Sequence, residues 1–194
     1  MVNRHTLNNI LMESPVNKRV GIVMLLVECP EALQLAKSID TDDLFGDDAI
    51  EHFHHITIRY DVNEYDPMKM QEIMGDQPFI HSGKPAVKGI GYFENVQDGA
   101  CDCVFLEISD ADTKRLNKIK KLIEANFDCG ESRFKDFKAH ITIAYVKKGK
   151  GKTIAEQLWK KFKQLGLDDF ALNGTSLFYS DGKDREATIY LNQK

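Results

Sequence analysis

The chain has 194 residues, 42% of them hydrophobic and 29% charged, with a formal net charge of −4. That describes one or two small domains with an ordinary globular core, and it argues against broad electrostatic binding to long DNA or RNA. The longest apolar stretch, Val20 to Val27, is far short of the about 20 residues that span a bilayer, so no membrane partner is expected.

Along the chain, residues 1–17 read as a polar leader without the features of a signal peptide, and the expected location is the cytoplasm. Val20 to Val27 predicts a buried strand. Pro30 fits the first turn of a helix carrying Ala32, Leu33, Leu35 and Ala36. Asp40 to Glu51 reads as an acidic loop anchored by Leu44, Phe45 and Ile50. A strand beginning near His55 follows, then a helix from Asp66-Pro67 with Met70, Ile73 and Met74 in line, closed by Gly75 and Pro78. Pro85 to Phe93 predicts a strand made irregular by Gly89 and Gly91. The order then restarts. Cys103 to Ile108 is a strand, Ser109 or Asp110 caps a helix to about Phe127, and a polar loop leads to a strand at His140. A lysine- and glycine-rich connector precedes a helix from about Ile154 to Leu165. Two strands, Phe170 to Tyr179 and Ala187 to Leu191, flank an Asp181-Gly182 turn.

Strand, helix, histidine strand, helix, strand thus occurs twice, which predicts a duplicated α+β unit. The expected fold is two lobes, roughly 20–95 and 102–191 and intertwined, within a single domain spanning 18–194. Mainly antiparallel sheets would surround a central cleft, with helices outside.

The same four residues head both histidine strands: His55-Ile56-Thr57-Ile58 and His140-Ile141-Thr142-Ile143. With a period of two, Ile56, Ile58 and Tyr60 are expected in the core and His55, Thr57 and Arg59 on the open face. Likewise Ile141, Ile143 and Tyr145 are expected in the core, with His140 and Thr142 open. Two imidazoles on facing strands suit acid–base cleavage of a phosphodiester near neutral pH. The hydroxyls of Thr57 and Thr142, roughly 7 Å along each strand, can donate to non-bridging phosphate oxygens. One His-x-Thr arises often by chance. A duplication kept for packing alone accounts for the isoleucines and tyrosines, but not for polar residues turned from the core.

These paired strands resemble the 2H phosphoesterase superfamily, which includes 2′-5′ RNA ligase-like proteins and 2′,3′-cyclic phosphodiesterases. Phe137 to Ala144 is similar to that family's second motif, with Ala139 where a proline is usual and Tyr145 where a basic residue is usual. The resemblance covers roughly Val20 to Leu191. It implies His55 and His140 as the catalytic pair and Thr57 and Thr142 as phosphate binders; acid–base work by two imidazoles needs no metal, and no cofactor is expected. Ile39 to Phe45 is similar to tailed-phage 2H proteins, some of them anti-CBASS nucleases that destroy cyclic oligonucleotide alarm signals. The implied partner is a small cyclic or 2′-5′-linked nucleotide. A 2′,3′-cyclic phosphodiesterase, an RNA ligase-like or 2′-5′ oligoadenylate-cleaving enzyme, or a non-catalytic sequestering protein are the alternatives.

Other residues carry two readings each. Arg59 is a phosphate contact or a surface arginine. Phe134 and Trp159 are base-stacking candidates whose ordinary role is packing, and Phe137 reads as core. Lys147, Lys148, Lys150 and Lys152 form a solvated loop or an anion-steering patch. Lys84 lacks the glycine pattern of a phosphate loop. His52, His54 and His55 cluster, but neighbouring strand positions face opposite ways, which is poor geometry for one metal ion. The four cysteines read as reduced thiols.

Overall fold

A computed structural model describes residues 21–75, 86–131, 136–167 and 173–190. The polar leader, Pro78, Lys84, Phe134 and the segment around Phe170 lie outside the described residues. The elements are β1 (Ile22–Glu28), α1 (Pro30–Ala36), β2 (His55–Tyr60), α2 (Pro67–Gly75), β3 (Val87–Asn95), β4 (Cys101–Ile108), α3 (Asp110–Asn126), β5 (His140–Lys147), α4 (Gly151–Gln164), β6 (Asn173–Ser180) and β7 (Glu186–Tyr190). Local chemistry sets several boundaries. Pro30 opens α1, where its missing N–H is not needed. The Ser109 side chain accepts from Asp112 N and caps α3.

This is an α+β fold of two antiparallel sheets. One has the strand order β2-β1-β6-β7 and the other β3-β4-β5. The run β2-β1-β6 matches β5-β4-β3 strand for strand, and the third strand of each sequence unit lies in the sheet of the other unit. The helices cross over in the same way. Helix α1 packs on β5 and α3 on β2, while α2 lies on β7 and α4 on β3 and β4. The core gathers Val23, Leu25, Ile56 and Ile58 from one sheet with Val104, Leu106, Ile141 and Ile143 from the other, under helical residues such as Leu35, Leu116, Ile123 and Phe162. Each such side chain contributes about 1.5–3 kcal/mol on burial. No helix among the described residues is long and apolar enough to cross a membrane.

The acidic stretch before β2 is more ordered than a loop. After a short 3-10 turn (Thr41–Asp43) it runs antiparallel beside β5, bridging Leu44 to Val146 and Ile50 to Ala144. Its backbone bonds are Phe45 N to Tyr145 O at 3.1 Å, Tyr145 N to Ala49 O at 2.7 Å and Glu51 N to Ile143 O at 3.1 Å. The chain then passes directly into β2.

Both motif strands carry a bulge at the same place. In β2, Met24 pairs with Thr57 and Val23 with Arg59, leaving Ile58 as the extra residue. In β5, Phe105 pairs with Thr142 and Val104 with Ala144, leaving Ile143 extra. A bulge inserts one residue and so reverses the alternation of faces beyond it. This overturns two expectations. Arg59 turns to the core side beside Val23. Tyr60 and Tyr145, expected in the core, join the histidine face, opposite Ile22 and Cys103. Both tyrosines are half-buried.

Candidate active site

Strands β2 and β5 are the inner edges of their sheets and pack against each other. The backbone thereby presents two equivalent rows, His55-Thr57-Tyr60 and His140-Thr142-Tyr145. His55 is 7% exposed and Thr142 5%, whereas His140 and Thr57 are half-buried.

The two imidazoles are held identically. His55 Nδ1 lies 2.8 Å from the Phe53 carbonyl and His140 Nδ1 lies 2.7 Å from the Lys138 carbonyl, each two residues back along its own chain. A carbonyl can only accept, so Nδ1 carries the proton in both rings. That tautomer leaves Nε2 of each ring with its lone pair for a substrate. Burial disfavours the charged form of both rings. It pulls His55 from 6.5 to about 4, against the Phe53 carbonyl bond, which favours the charged form; a charge on His140 depresses His55 further. His140 is also lowered, mainly by burial. His140 is therefore near enough for its charge to bear on His55.

Their surroundings differ. His140 lies across from Glu107, and its ring meets Phe105 at 4.9 Å and the Phe93 ring edge-on at 5.0 Å between centroids. Lys138 Nζ pairs with Glu107 at 2.8 Å and lies 4.8 Å over the Phe105 ring. Gly91 makes room for this arrangement, because a Cβ there would stand 2.7 Å from Phe105 Cε2. His55 lies across from Leu26. Its ring stands 6.0 Å from Phe53, and Ile22, Met24 and Phe178 form an apolar cluster on the same face. The threonines also have separate neighbours. Thr57 Oγ1 donates to Tyr60 Oη at 3.5 Å, and Thr142 Oγ1 is 3.8 Å from Cys103 Sγ.

Three expected contacts lie elsewhere. Arg59 is 5% exposed. It pairs with Glu124 of α3 at 2.9 Å and donates to the carbonyls of Tyr60 and Gly130, so it fastens β2 to a helix on the side away from His55. Trp159 is partly buried on α4, stacked on Phe162 at 5.2 Å with Lys163 over its ring. Helix α4 covers the other face of its sheet. Its first residue, Gly151, abuts Asp102 and Tyr92, whose strand partners Val146 and Val104 point away from His140. In the lysine connector, Lys147 donates to the Asp42 carbonyl and Lys150 pairs with Asp43 at 3.0 Å, holding the acidic segment. Phe137 packs against the core. None of the four cysteines forms a disulfide. Among the described residues no three His, Cys, Asp or Glu side chains gather as a metal would require.

Residues at the site that the sequence did not assign to it are Tyr60 and Tyr145, expected in the core, and Phe93, Phe105, Glu107 and Lys138. Only the tyrosines had left a sequence signal: each stands five positions after its histidine in both copies.

No family model matches the sequence, and no curated protein matches it. Solved structures do. Kluyveromyces marxianus Usb1 superposes with a TM-score of 0.54 at 15% identity over 91% of this chain and 100% of that one. Its structure with uridine monophosphate gives 0.53 at 14% identity, with the same coverage. Usb1 is a member of the 2H phosphoesterase family, and this chain has its fold, two antiparallel sheets with helices.

Proposed function

We propose that this protein is a phosphodiesterase that cleaves a small nucleotide by acid–base catalysis between His55 and His140, with no metal ion taking part. The observation that carries this reading is the pair of identically tethered imidazoles on adjacent strands, each with Nε2 left for substrate and each with a threonine hydroxyl on its own face. One neutral imidazole takes the proton from the attacking oxygen, a neighbouring 2′-hydroxyl or a water. The other, as imidazolium, protonates the leaving oxygen across the phosphorus. A bound phosphate favours that second charge, offsetting the burial that disfavours it in the empty site. Thr57 and Thr142 donate to the non-bridging oxygens and stabilise the charge that builds there.

The likeness to a structure of Usb1 with uridine monophosphate supports a nucleotide as ligand. As the substrate class we take a cyclic oligonucleotide alarm signal, in the manner of phage anti-CBASS nucleases. Support for this comes from the sequence of Ile39 to Phe45, which runs up to and along the second motif strand. The mononucleotide in the Usb1 complex favours a second reading, cleavage of a 2′,3′-cyclic or 2′-5′ linkage. Incubation with cyclic dinucleotides, cyclic trinucleotides, 2′-5′ oligoadenylate and 2′,3′-cyclic nucleotides, with products resolved by mass, separates these. Turnover is expected to persist in EDTA and to vanish in both His55→Ala and His140→Ala. Binding without product from any substrate would instead mark a sequestering protein.

A further inference from the structure

The matched bulges give each motif a third polar member. A strand without the bulge would send the residue five places after the histidine into the core; here the extra Ile58 and Ile143 bring Tyr60 and Tyr145 round to the face of His55 and His140. The cross-strand partners fix this assignment. Ile22, Met24 and Leu26 alternate on one face of β1 and pair with Tyr60, Thr57 and His55. Cys103, Phe105 and Glu107 do the same on β4 for Tyr145, Thr142 and His140. Tyr60 Oη lies 3.5 Å from the Thr57 hydroxyl, so the phenol leans back along the strand toward the histidine. On β5, Tyr145 is held through both its backbone N–H and its carbonyl by the segment 45–49. Two cationic groups near the motif strands already have carboxylate partners: Arg59 pairs with Glu124 on the far face, and Lys138, beside His140, pairs with Glu107.

We propose that Tyr60 and Tyr145 are substrate-gripping residues, each phenol donating a hydrogen bond to the phosphodiester or its adjoining ribose beside the threonine of its own strand. This rests on the phosphodiesterase reading and extends it: the anion is held by neutral hydroxyl donors from two strands rather than by a guanidinium. Phenols suit the position because Tyr is a strong donor that keeps an apolar ring against Ile22 or Cys103.

The test is removal of each hydroxyl alone. With the phosphodiester that the wild type cleaves, Tyr60→Phe and Tyr145→Phe are each expected to lower kcat/KM roughly 10-fold or more, as loss of a hydrogen bond to a charged group does, and the double variant further. The melting temperature should stay within about 2 °C of wild type, which a residue with a purely packing role would also show, so the kinetic loss is the deciding readout. Wild-type kcat/KM in both variants overturns the proposal and leaves the enzyme reading intact. Should the wild type turn over none of the phosphodiesters, the enzyme reading fails. The grip is then judged by the affinity for adenosine 2′-monophosphate: weaker binding in both variants upholds it, and unchanged or absent binding overturns it.

Discussion

Strands β2 and β5 share a backbone design down to the bulge and the Nδ1-to-carbonyl bond, yet His55 faces Leu26 and a cluster of Ile22, Met24 and Phe178, whereas His140 faces Glu107, Lys138, Phe93 and Phe105. At the bulge itself β2 carries Arg59 and β5 carries Ala144. The two strands thus share what the main chain dictates, namely ring tautomer, face and spacing. The side chains that set each ring's electrostatics have diverged. Under the proposed mechanism two proton-transfer groups with opposite tasks need equivalent placement and unequal environments, and β2 and β5 offer both.

The comparison breaks most severely at the rings. If the strands are chemically equal partners, His55→Ala and His140→Ala each lower kcat by about 10²–10⁴-fold, the span of one lost general acid or base, and the double variant falls little further. A large loss in one and a small loss in the other, measured by single-turnover cleavage, would end the symmetric reading. Next comes the bulge residue that the strands do not share. Arg59→Met leaves the Gly130 carbonyl without its guanidinium donor and Glu124 with Lys120 alone, and is expected to cost about 1–3 kcal/mol in urea unfolding, with kcat/KM of the folded enzyme changed only a few-fold. A loss confined to substrate affinity would return Arg59 to the binding site.

A third change acts on β5 alone. Gly91→Ala puts a methyl 2.7 Å from Phe105 Cε2 and 2.9 Å from Glu107 Oε1, and Phe105 is fully buried and slow to yield. A destabilisation of about 1–3 kcal/mol is expected, with His140 shifted in its NMR titration and His55 much less so. The gentlest probe is pH. The folded state depresses His55 from 6.5 to about 4, so the unfolded chain binds the extra proton between those values. The stabilisation is full above pH 6.5 and is lost as pH falls through 4, about 3 kcal/mol in all. Urea titrations at pH 7 and pH 4.5 should show that slope in the wild type and a shallower one in His55→Gln. The same depression of both rings is expected to shift the bell-shaped kcat/KM profile of the free enzyme to the acid side of one set by two ordinary imidazoles.

Much of this was legible in the residues. The alternation of His55 to Ile58 and of His140 to Ile143 announced both strands and the face that carries the imidazoles and hydroxyls. Apolar stripes announced α3 and α4. What the pattern could not show was the bulge. An isoleucine inserted among isoleucines leaves hydropathy unchanged, so strict alternation sent Tyr60 inward and Arg59 outward when register does the reverse. Trp159 sits at the edge of an amphipathic stripe, and no local signal says which sheet face its helix will cover. Phe93, Phe105 and Glu107 approach His140 through cross-strand pairing, which single-strand patterns do not encode.

The stitching of residues 44–51 onto β5 has a further effect. Glu51 is bonded to Ile143, and only four residues later the chain reaches His55. The separation of the two rings is therefore governed by a short covalent ruler clamped to the opposite half, not by the looser packing of one layer on another. Hinge-like opening would have to tear that clamp first, so anything seated between the rings must enter and leave a vice whose jaws keep their gauge.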